Sequence, residues 1–434
     1  MPPVDPLPDP LPLSTVGPVD ATVRVPGSKS LTNRALAVAA LADGASALDG
    51  ALVAEDRAVM AEGLRRLGIP VIGEGTEVRV EGAGGRIPAA VADLDLRLSG
   101  TAIRFLTAIC ALGAGRYRLD GTARMRERPI ADLLAALRAL GADVHDETGS
   151  GCPPVVVRGR GLPGGTARVA GGRSSQYLSA LLIAAPAARG PVRLEVEGTL
   201  LSRPFVDMTL QVMAAFGVEV ERDGYHAFQV QPRRYRPRRY EVEADAMAAG
   251  YVWAAAAVTG GRVRTPGVGA GSAQGDRRLA DVLAEMGCTT LWSEDGCEVR
   301  GPTGALRGGV FDLNDMPDQA QTLAVCALFA DRPVRIENVW NLRIKETDRL
   351  HALARELARL GARVDEEEDA LTVHPLGPGD AVPAVIETYG DHRMAMAFAV
   401  AGLRLDGLAL RDPGCVAKTY PGFFADWERL GGVG

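Results

Sequence analysis

The chain has 434 residues, of which 47% are hydrophobic and 24% charged, and its formal net charge is −6. This length predicts two or three domains rather than a single core. The acidic balance argues against a nucleic-acid partner, and the longest apolar runs fall short of the roughly 18 residues that a membrane-spanning helix needs. We therefore expect a globular protein with no membrane or nucleic-acid partner. The net charge does not exclude a local cationic pocket, so the local distribution of Lys and Arg matters more than their sum.

The N-terminal stretch MPPVDPLPDPLPLSTVGP has Pro and Asp where a signal peptide has a basic region followed by an apolar run. We expect an extended, partly disordered segment there. The stretch PGSKSLTNR, residues 26–34, has the Gly, Ser and Lys of a phosphate-binding loop but not the G-x-x-x-x-G-K-[ST] spacing. It favours a phosphate-bearing ligand that is not a nucleotide.

A short phrase recurs six times: LRRLGIPV, LRALGADV, MAAFGVEV, LAEMGCTT, LARLGARV and WERLGGVG. Each ends an amphipathic segment with a glycine, and these glycines are 70 to 76 residues apart: Gly68, Gly141, Gly217, Gly287, Gly361 and Gly431. Glycine is the preferred residue for a left-handed helix cap, so each phrase predicts a helix end followed by a strand. The chain is thus predicted to contain six related units of mixed helix and strand.

Five further segments are apolar on all sides: TAIRFLTAICALG, SQYLSALLIAAPA, AGYVWAAAAVTG, DQAQTLAVCALFA and HRMAMAFAVAGL. A unit with one amphipathic and one fully apolar helix cannot bury the second helix alone, so several units must share a core. We predict an α/β (α+β) protein made of two bodies of three units. The stretch QPRRYRPRRYEVEAD, residues 231–245, is interpreted as a solvated connection and hinge between them, with a nucleic-acid patch as the less favoured alternative.

Six cysteines are scattered along the chain without a C-x-x-C pair or a neighbouring histidine cluster: Cys110, Cys152, Cys288, Cys297, Cys326 and Cys415. This spacing indicates neither a zinc site nor a disulfide framework. We expect no metal, and a reducing, cytoplasmic setting.

Cationic residues lie near the predicted starts of helices, where backbone N–H groups attract anions. They are Lys29, Arg104, Arg128, Arg203, Lys345, Arg349, Arg393 and Lys418. Any one of them could be an ordinary surface residue. Those in NLRIKETDR and GDHRMAM adjoin strongly apolar segments, however, so they need a ligand or an ion-pair network. The pattern favours a small polyanionic ligand.

Two carboxylates accompany these cations. Asp318 opens an apolar helix and could be its N-cap, a general base, or both. Glu346 follows Lys345 directly and could serve in proton transfer or only balance charge. For His392, a structural hydrogen bond is at least as plausible as proton transfer.

Ten stretches closely resemble the 5-enolpyruvylshikimate-3-phosphate synthase family, also called 3-phosphoshikimate 1-carboxyvinyltransferase. They occur in the family order over nearly the whole chain: PGSKSLTNRAL, SGTAIRFL, RMRERPI, RSSQYLSALL, LSRPFVDMTL, QGDRRLADVL, MPDQAQT, NLRIKETDRL, YGDHRMAMAF and DPGCVAKTYPGF. The resemblance implies a two-domain inverse α/β barrel of six βαβαββ repeats, three per domain around buried parallel helices. Residues 27–243 would form the shikimate 3-phosphate side, and residues 1–26 with 244–434 would carry the catalytic carboxylates and part of the phosphoenolpyruvate site.

The resemblance also implies the reaction, which transfers the enolpyruvyl group of phosphoenolpyruvate to the 5-hydroxyl of shikimate 3-phosphate and releases phosphate. The route is an addition–elimination through a tetrahedral intermediate, without a cofactor. It belongs to the shikimate pathway, which leads to chorismate and the aromatic amino acids, and the family is the target of glyphosate. The protein is expected to act as a monomer on its two small-molecule substrates.

Site residues are implied position by position. The catalytic residues would be Asp318, Glu346 and Lys29. Contacts to shikimate 3-phosphate would come from Lys29, Ser30, Arg34, Ser174, Ser175, Gln176, Ser202, Asp318, Asn341 and Lys345. Contacts to phosphoenolpyruvate would come from Lys29, Gly100, Arg128, Gln176, Arg349, Arg393 and Lys418. The chain departs from many members at Leu98 (often Asn), Phe105 (often Pro) and Phe205 (often Tyr).

Two alternatives remain. A sister enzyme of the same fold transfers enolpyruvyl to UDP-N-acetylglucosamine, but its AKN-type start differs from the SKS found here, and RSSQ and KETDR favour the shikimate branch. A non-catalytic scaffold of the same fold is the other alternative. The joint presence of six polar residues argues against it: Lys29, Arg128, Asp318, Glu346, Arg393 and Lys418.

Overall fold

The structure, a computed structural model, describes residues 7–433. It divides into two compact units. The continuous unit is Gly27–Glu243, and the discontinuous unit is Ala244–Gly434 together with the N-terminal residues up to Pro26. The chain therefore passes from one unit to the other twice, once at each end of the continuous unit.

The continuous unit contains six α-helices: α1 (Lys29–Leu41), α2 (Glu55–Arg66), α3 (Gly100–Cys110), α4 (Ala131–Ala139), α5 (Ser175–Ala184) and α6 (Pro204–Ala215). Two short 3₁₀ helices lie at Met125–Glu127 and Ala185–Ala187. Its strands are β3 (Ala45–Asp49), β4 (Val71–Ile72), β5 (Val78–Glu81), β6 (Val91–Asp95), β7 (Arg116–Asp120), β8 (Asp143–Asp146), β9 (Val155–Arg158), β10 (Gly165–Ala170), β11 (Val192–Glu197), β12 (Glu221–Asp223), β13 (Ala227–Val230) and β14 (Arg239–Glu241).

The described part of the discontinuous unit also contains six α-helices: α7 (Ala246–Thr259), α8 (Leu279–Glu285), α9 (Ala320–Ala327), α10 (Arg349–Arg359), α11 (His392–Gly402) and α12 (Phe423–Arg429). Short 3₁₀ helices lie at Gly275–Arg278, Pro317–Gln319, Trp340–Ile344 and Pro413–Lys418. Its strands are β1 (Leu11–Pro12), β2 (Asp20–Thr22), β15 (Arg262–Pro266), β16 (Thr289–Trp292), β17 (Gly296–Arg300), β18 (Gly309–Asp312), β19 (Val334–Glu337), β20 (Val364–Glu366), β21 (Leu371–Val373), β22 (Ala384–Ile386) and β23 (Leu408–Leu410).

The strands form six small sheets within residues 7–433: β14-β3-β5-β4, β6-β7-β9-β8 and β10-β11-β13-β12 in the continuous unit, and β2-β15-β17-β16, β18-β19-β21-β20 and β22-β23-β1 in the other. In every four-stranded sheet the first pair is parallel and the next two pairs are antiparallel. The three-stranded sheet repeats the first two of these pairings. The mixed α/β class and the sixfold repetition predicted from the sequence are confirmed.

Three helices in each unit are buried along nearly their whole length and pack against one another: α1, α3 and α5 in one unit, and α7, α9 and α11 in the other. Five of them are the apolar segments predicted to share a core. The sixth, α1, was not among those five because its first half, KSLTNR, is polar. Arg34 and Asn33 are nevertheless buried in it.

The glycine of every recurring phrase has a positive φ, between 80° and 104°, as predicted for left-handed caps. A strand follows the first five of these glycines within a few residues. The backbone therefore adopts the same left-handed conformation at the helix end of each of the six repeats. This shared requirement for glycine explains why the phrase recurs.

Two segments predicted to be irregular connections take part in sheets. The N-terminal segment is extended as predicted, but Leu11 and Leu13 are buried in the core and β1 pairs with β23. Residues 1–6 lie outside the described part. The stretch 231–245 is mostly exposed to solvent, as predicted, and the boundary between the two units lies within it, between Glu243 and Ala244. It is nevertheless not wholly irregular, because Tyr235 is buried and β14 pairs in parallel with β3.

No helix among the described residues is long and apolar enough to cross a bilayer.

We expect Gly361→Ala to destabilise the protein, because φ at this position is +93° and an added Cβ would overlap the backbone oxygen of Asp380. The expected loss in the free energy of unfolding is about 1–3 kcal/mol. Gly304→Ala is the matched control, since its Cβ would meet nothing within 4 Å. Thermal unfolding of both variants checks the prediction, and equal melting temperatures would contradict it.

Candidate active site

Asp318 is the acceptor at the centre of a buried charge network in the discontinuous unit. Its Oδ1 accepts a hydrogen bond from Arg349 Nη1 at 3.0 Å, and its Oδ2 accepts one from Arg393 Nη2 at 2.9 Å. The ammonium of Lys345 lies 3.4 Å from Oδ1. Neither the 3₁₀ turn that holds Asp318 nor α9, which follows it, has a side-chain cap. The N-cap interpretation of Asp318 is therefore wrong, and the carboxylate faces cations instead.

Glu346 forms the second part of this network. Its Oε1 accepts a hydrogen bond from Lys418 Nζ at 2.6 Å, and its Oε2 lies 3.0 Å from Arg349 Nη2. Arg349 therefore bridges Asp318 and Glu346, the two carboxylates singled out from the sequence. Lys418 comes from a 3₁₀ helix near the C-terminus, more than seventy residues away in the chain.

Asp391 is a third carboxylate of the network, and sequence reasoning did not select it as a site residue. Its Oδ2 accepts from Arg349 Nε at 2.7 Å, and its Oδ1 accepts from Arg349 Nη2 at 3.1 Å. The same Oδ1 caps α11 by accepting from the backbone N–H of Arg393 at 3.0 Å. An Asp immediately before a helix that starts with a predicted site residue was the signal available in the sequence.

The network is buried, and its charges compensate one another. Arg349 is 1% exposed and Asp391 is fully buried. Burial alone would lower the pKa of Arg349, but the charges of Asp391, Glu346 and Asp318 outweigh it and raise this pKa above its ordinary value. Burial also lowers the pKa of Arg393, but the charge of Asp318 acts against it, and the pKa of Arg393 is raised as well.

Among the described residues this network joins three carboxylates (Asp318, Glu346, Asp391) with four cations (Lys345, Arg349, Arg393, Lys418). Asn341 is buried in the 3₁₀ helix that precedes Lys345, and His392 is fully buried as the first residue of α11. Cations grouped in this way suit an anionic ligand, which stays a prediction.

In the continuous unit, Lys29 is the first residue of α1, which is capped by Ser28. Its Nζ lies 3.7 Å from Oδ2 of the buried Asp56. Ser30 follows in the same turn, and its backbone oxygen accepts from Arg34 Nη1 at 2.9 Å. The PGSKSLTNR stretch is therefore a helix start, where N–H groups and a cation are available to an anion.

Arg34 is buried among neutral groups. Its other donors bond to Thr209 Oγ1 at 2.8 Å and to the backbone oxygen of Phe205 at 2.9 Å. The rings of Phe105 and Phe205 lie 5.5 and 5.8 Å from its guanidinium carbon. Burial lowers the pKa of Arg34 to about 9. Two of the three departures from the family pattern, Phe105 and Phe205, thus lie against the same cation.

Gly100 begins α3 and allows two arginines to approach its backbone. A Cβ there would lie 2.6 Å from Arg128 Nη2 and 2.7 Å from Arg104 Nη1. Arg104 donates to Gln176 Oε1 at 2.7 Å, and Arg128 donates to the backbone oxygen of Leu98 at 3.3 Å. Two buried guanidinium groups and an amide therefore surround the start of α3. The Leu98 contact is a backbone one, so it does not depend on the side chain at that position.

The predicted serines lie at helix starts in the same unit. Ser174 caps α5, whose first residues are Ser175 and Gln176. Ser202 is buried, has a φ of +55°, and precedes α6. In the discontinuous unit the predicted charged residues thus form one connected network, and Asn341 is buried in the 3₁₀ helix that precedes Lys345. In the other unit the predicted residues form two connected groups, one around Arg34 and one around Gly100, with Lys29 paired to Asp56.

No group of three or more His, Cys, Asp or Glu side chains within residues 7–433 is arranged to hold a metal ion.

We expect Asp391→Asn to lower the free energy of unfolding by about 3 kcal/mol, because it leaves the buried Arg349 short of one charge while keeping a cap for α11. Glu367→Gln, which removes a charge from the exposed pair with Arg335, is the control and should change the melting temperature little. Chemical denaturation of the two variants checks the difference. A stable Asp391→Asn variant would show that Arg349 does not depend on Asp391.

Comparison with known proteins supplies the family. The family model described as EPSP synthase (3-phosphoshikimate 1-carboxyvinyltransferase) matches residues 13–427. A 3-phosphoshikimate 1-carboxyvinyltransferase of Nostoc punctiforme is 50% identical over 416 residues, which cover 95% of this chain and 97% of the relative. The chloroplastic 3-phosphoshikimate 1-carboxyvinyltransferase of Arabidopsis thaliana is 44% identical over 437 residues, covering 96% and 84%.

Solved structures agree with these relatives. An EPSP synthase structure from Acinetobacter baumannii matches with a TM-score of 0.79 at 25% identity and covers 98% of each chain. The resemblance seen in the sequence motifs is confirmed by the family model, the relatives and this structure. The chain therefore belongs to the EPSP synthase (3-phosphoshikimate 1-carboxyvinyltransferase) family.

Proposed function

We propose that this chain transfers the enolpyruvyl group of phosphoenolpyruvate to the 5-hydroxyl of shikimate 3-phosphate and releases phosphate. Family membership and the names of the relatives support this assignment. The observation that carries it is the buried network in which Asp318 and Glu346 are joined through Arg349. A reaction between two anionic substrates needs fixed cations for binding and fixed carboxylates for proton transfer, and this network contains both.

The substrates divide among the site residues as follows. Each substrate carries a phosphate and a carboxylate, and charge-assisted hydrogen bonds to such groups contribute roughly 1.5–3 kcal/mol each. We assign to shikimate 3-phosphate Lys29, Ser30, Arg34, Ser174, Ser175, Gln176, Ser202, Asp318, Asn341 and Lys345. We assign to phosphoenolpyruvate Lys29, Gly100, Arg128, Gln176, Arg349, Arg393 and Lys418.

Asp318 serves as the base in this scheme. It takes the proton of the 5-hydroxyl while that oxygen attacks the enol carbon of phosphoenolpyruvate. Glu346, together with Lys29, delivers a proton to the methylene carbon, which becomes a methyl group. The resulting tetrahedral intermediate loses phosphate as these proton movements reverse, and the enol double bond forms again. Arg349 contacts both carboxylates at about 3.0 Å, so it holds the base and the acid in one arrangement.

The cysteines also bear on the compartment in which we propose that the protein works. All six cysteines are free, and four of them are buried. Free thiols suit a reducing compartment, so we place the protein in the cytoplasm.

The purified protein should release phosphate from phosphoenolpyruvate only when shikimate 3-phosphate is added. A colorimetric phosphate assay with each substrate alone, and with both, checks this. UDP-N-acetylglucosamine is the competing acceptor in a parallel reaction. Release with that acceptor would assign the chain to the sister activity, and no release with either acceptor would favour a scaffold.

Asp318→Asn and Glu346→Gln should each lower kcat by about 10²- to 10⁴-fold, because each removes a proton-transfer group while keeping its size. Folding should be retained, as judged by circular dichroism and thermal unfolding. Glu367→Gln serves again as the surface control. If turnover stayed intact while the melting temperature fell, these carboxylates would serve only to balance charge.

A further inference from the structure

The segment that leads into α11 has an unusual backbone. Tyr389 and Gly390 both have left-handed φ values, +57° and +63°. Glycine adopts this conformation readily, but a tyrosine does so only at a cost in energy. Asp391, the cap of α11, follows Gly390, and both Asp391 and Arg393 belong to the network described above. A strained residue therefore lies two positions before Asp391, which bonds to Arg349.

A buried carboxylate on α10 holds this segment. Glu356 is fully buried, and its Oε1 accepts a hydrogen bond from the hydroxyl of Tyr389 at 2.6 Å. Its Oε2 accepts one from the backbone N–H of Glu387 at 3.1 Å. Arg359, one turn further along α10, donates to the same Oε2 at 3.2 Å. Two of these three hydrogen bonds thus come from the segment that precedes α11, while the charge of Glu356 is paired with Arg359.

Helix α10 contacts the segment at two points. Arg349, its first residue, bonds to Asp391, and Glu356 lies seven residues later on the same face of the helix. The two contacts are therefore two helical turns apart. Together they fix both ends of the turn that runs from Glu387 to Asp391.

We propose that Tyr389 and Glu356 form a latch, that is, a hydrogen-bonded pair that holds Asp391 and Arg393 in place for the reaction. Tyr389 and Glu356 are therefore positioning residues. This inference rests on the proposed function, because the affinity it concerns is that for phosphoenolpyruvate. Neither residue is given a contact with substrate. Their effect passes through Arg349 and Arg393, two of the cations assigned to that substrate.

The hydroxyl of Tyr389 is a dependable donor for this purpose. Burial and the hydrogen bond to Glu356 raise the pKa of Tyr389 to about 12, so the hydroxyl keeps its proton at any pH suited to an assay. Tyr389 is 39% exposed, so its hydroxyl can be removed without opening a cavity in the core. Tyr389→Phe is therefore a mild variant that should fold.

The test measures the KM values of both substrates and kcat for Tyr389→Phe. We expect the KM for phosphoenolpyruvate to rise about tenfold, because the variant loses one hydrogen bond to a charged group within the protein and only part of that loss reaches the phosphoenolpyruvate contacts. The KM for shikimate 3-phosphate should change less than about twofold. Tyr225→Phe is the matched control, because its hydroxyl also donates to a carboxylate at 2.6 Å, that of Asp207 in the continuous unit. Its kinetic constants should stay unchanged.

Tyr389→Gly separates positioning from stability. Glycine relieves the backbone strain at φ +57° but removes the latch. We expect its KM for phosphoenolpyruvate to rise at least as far as that of Tyr389→Phe, without a matching fall in melting temperature. Glu356→Gln, which keeps an acceptor for the hydroxyl, should recover part of the affinity lost in Glu356→Ala.

The outcomes are distinct. An inactive wild-type protein would overturn the proposed function before any variant is compared. An active wild-type protein with unchanged kinetic constants in Tyr389→Phe and Tyr389→Gly would overturn the latch alone. Equal rises in the KM values of both substrates, accompanied by a lower melting temperature, would show a structural role and would also overturn it.

Discussion

The arrangement of the charged residues in the discontinuous unit depends on the guanidinium of Arg349. This side chain is almost completely buried and contacts three carboxylates, Asp318, Glu346 and Asp391. A buried cation is tolerated only when its charge and its donors are satisfied. Arg349 meets this condition by drawing together the start of α10, the turn before α9 and the cap of α11. Its own requirement for partners thereby sets the positions of the carboxylates proposed to move protons.

The buried helices explain why site residues occur where they do. Helices α1, α3 and α5 are each capped by a serine, and α11 is capped by Asp391. Their first residues include Lys29, Gly100, Ser175 and Arg393. The helix bodies are apolar because they form the core, so chemistry is confined to the ends, where N–H groups are also free to attract anions. Six repeats of one unit therefore offer six helix starts, five with a side-chain cap and one, that of α9, preceded by a 3₁₀ turn.

The two phenylalanines that depart from the family pattern have a shared structural context. Both rings lie near the guanidinium of Arg34, whose described hydrogen bonds all go to neutral acceptors. Aromatic rings stabilise a cation without neutralising it. Arg34 thus keeps its charge for an anionic ligand, which agrees with its proposed contact to shikimate 3-phosphate.

Features that depend on neighbouring residues could be predicted from the sequence alone. The six glycine caps, the apolar helices and the mixed α/β class follow from local sterics and periodicity, which a few consecutive residues express. The motifs also identified the family and the polar residues of the network, with the exception of Asp391. The partners of these residues became visible only in the folded structure. Asp318 was a plausible cap until Arg349 and Arg393 were found beside it, and Asp391 gained its role from an arginine 42 residues away. Likewise, β1 and β14 pair with strands that lie far away in the chain. These pairings give regular structure to segments whose sequences look like linkers. Ion pairs and strand pairings depend on which distant segments packing brings together, and a single sequence carries no local signal of that.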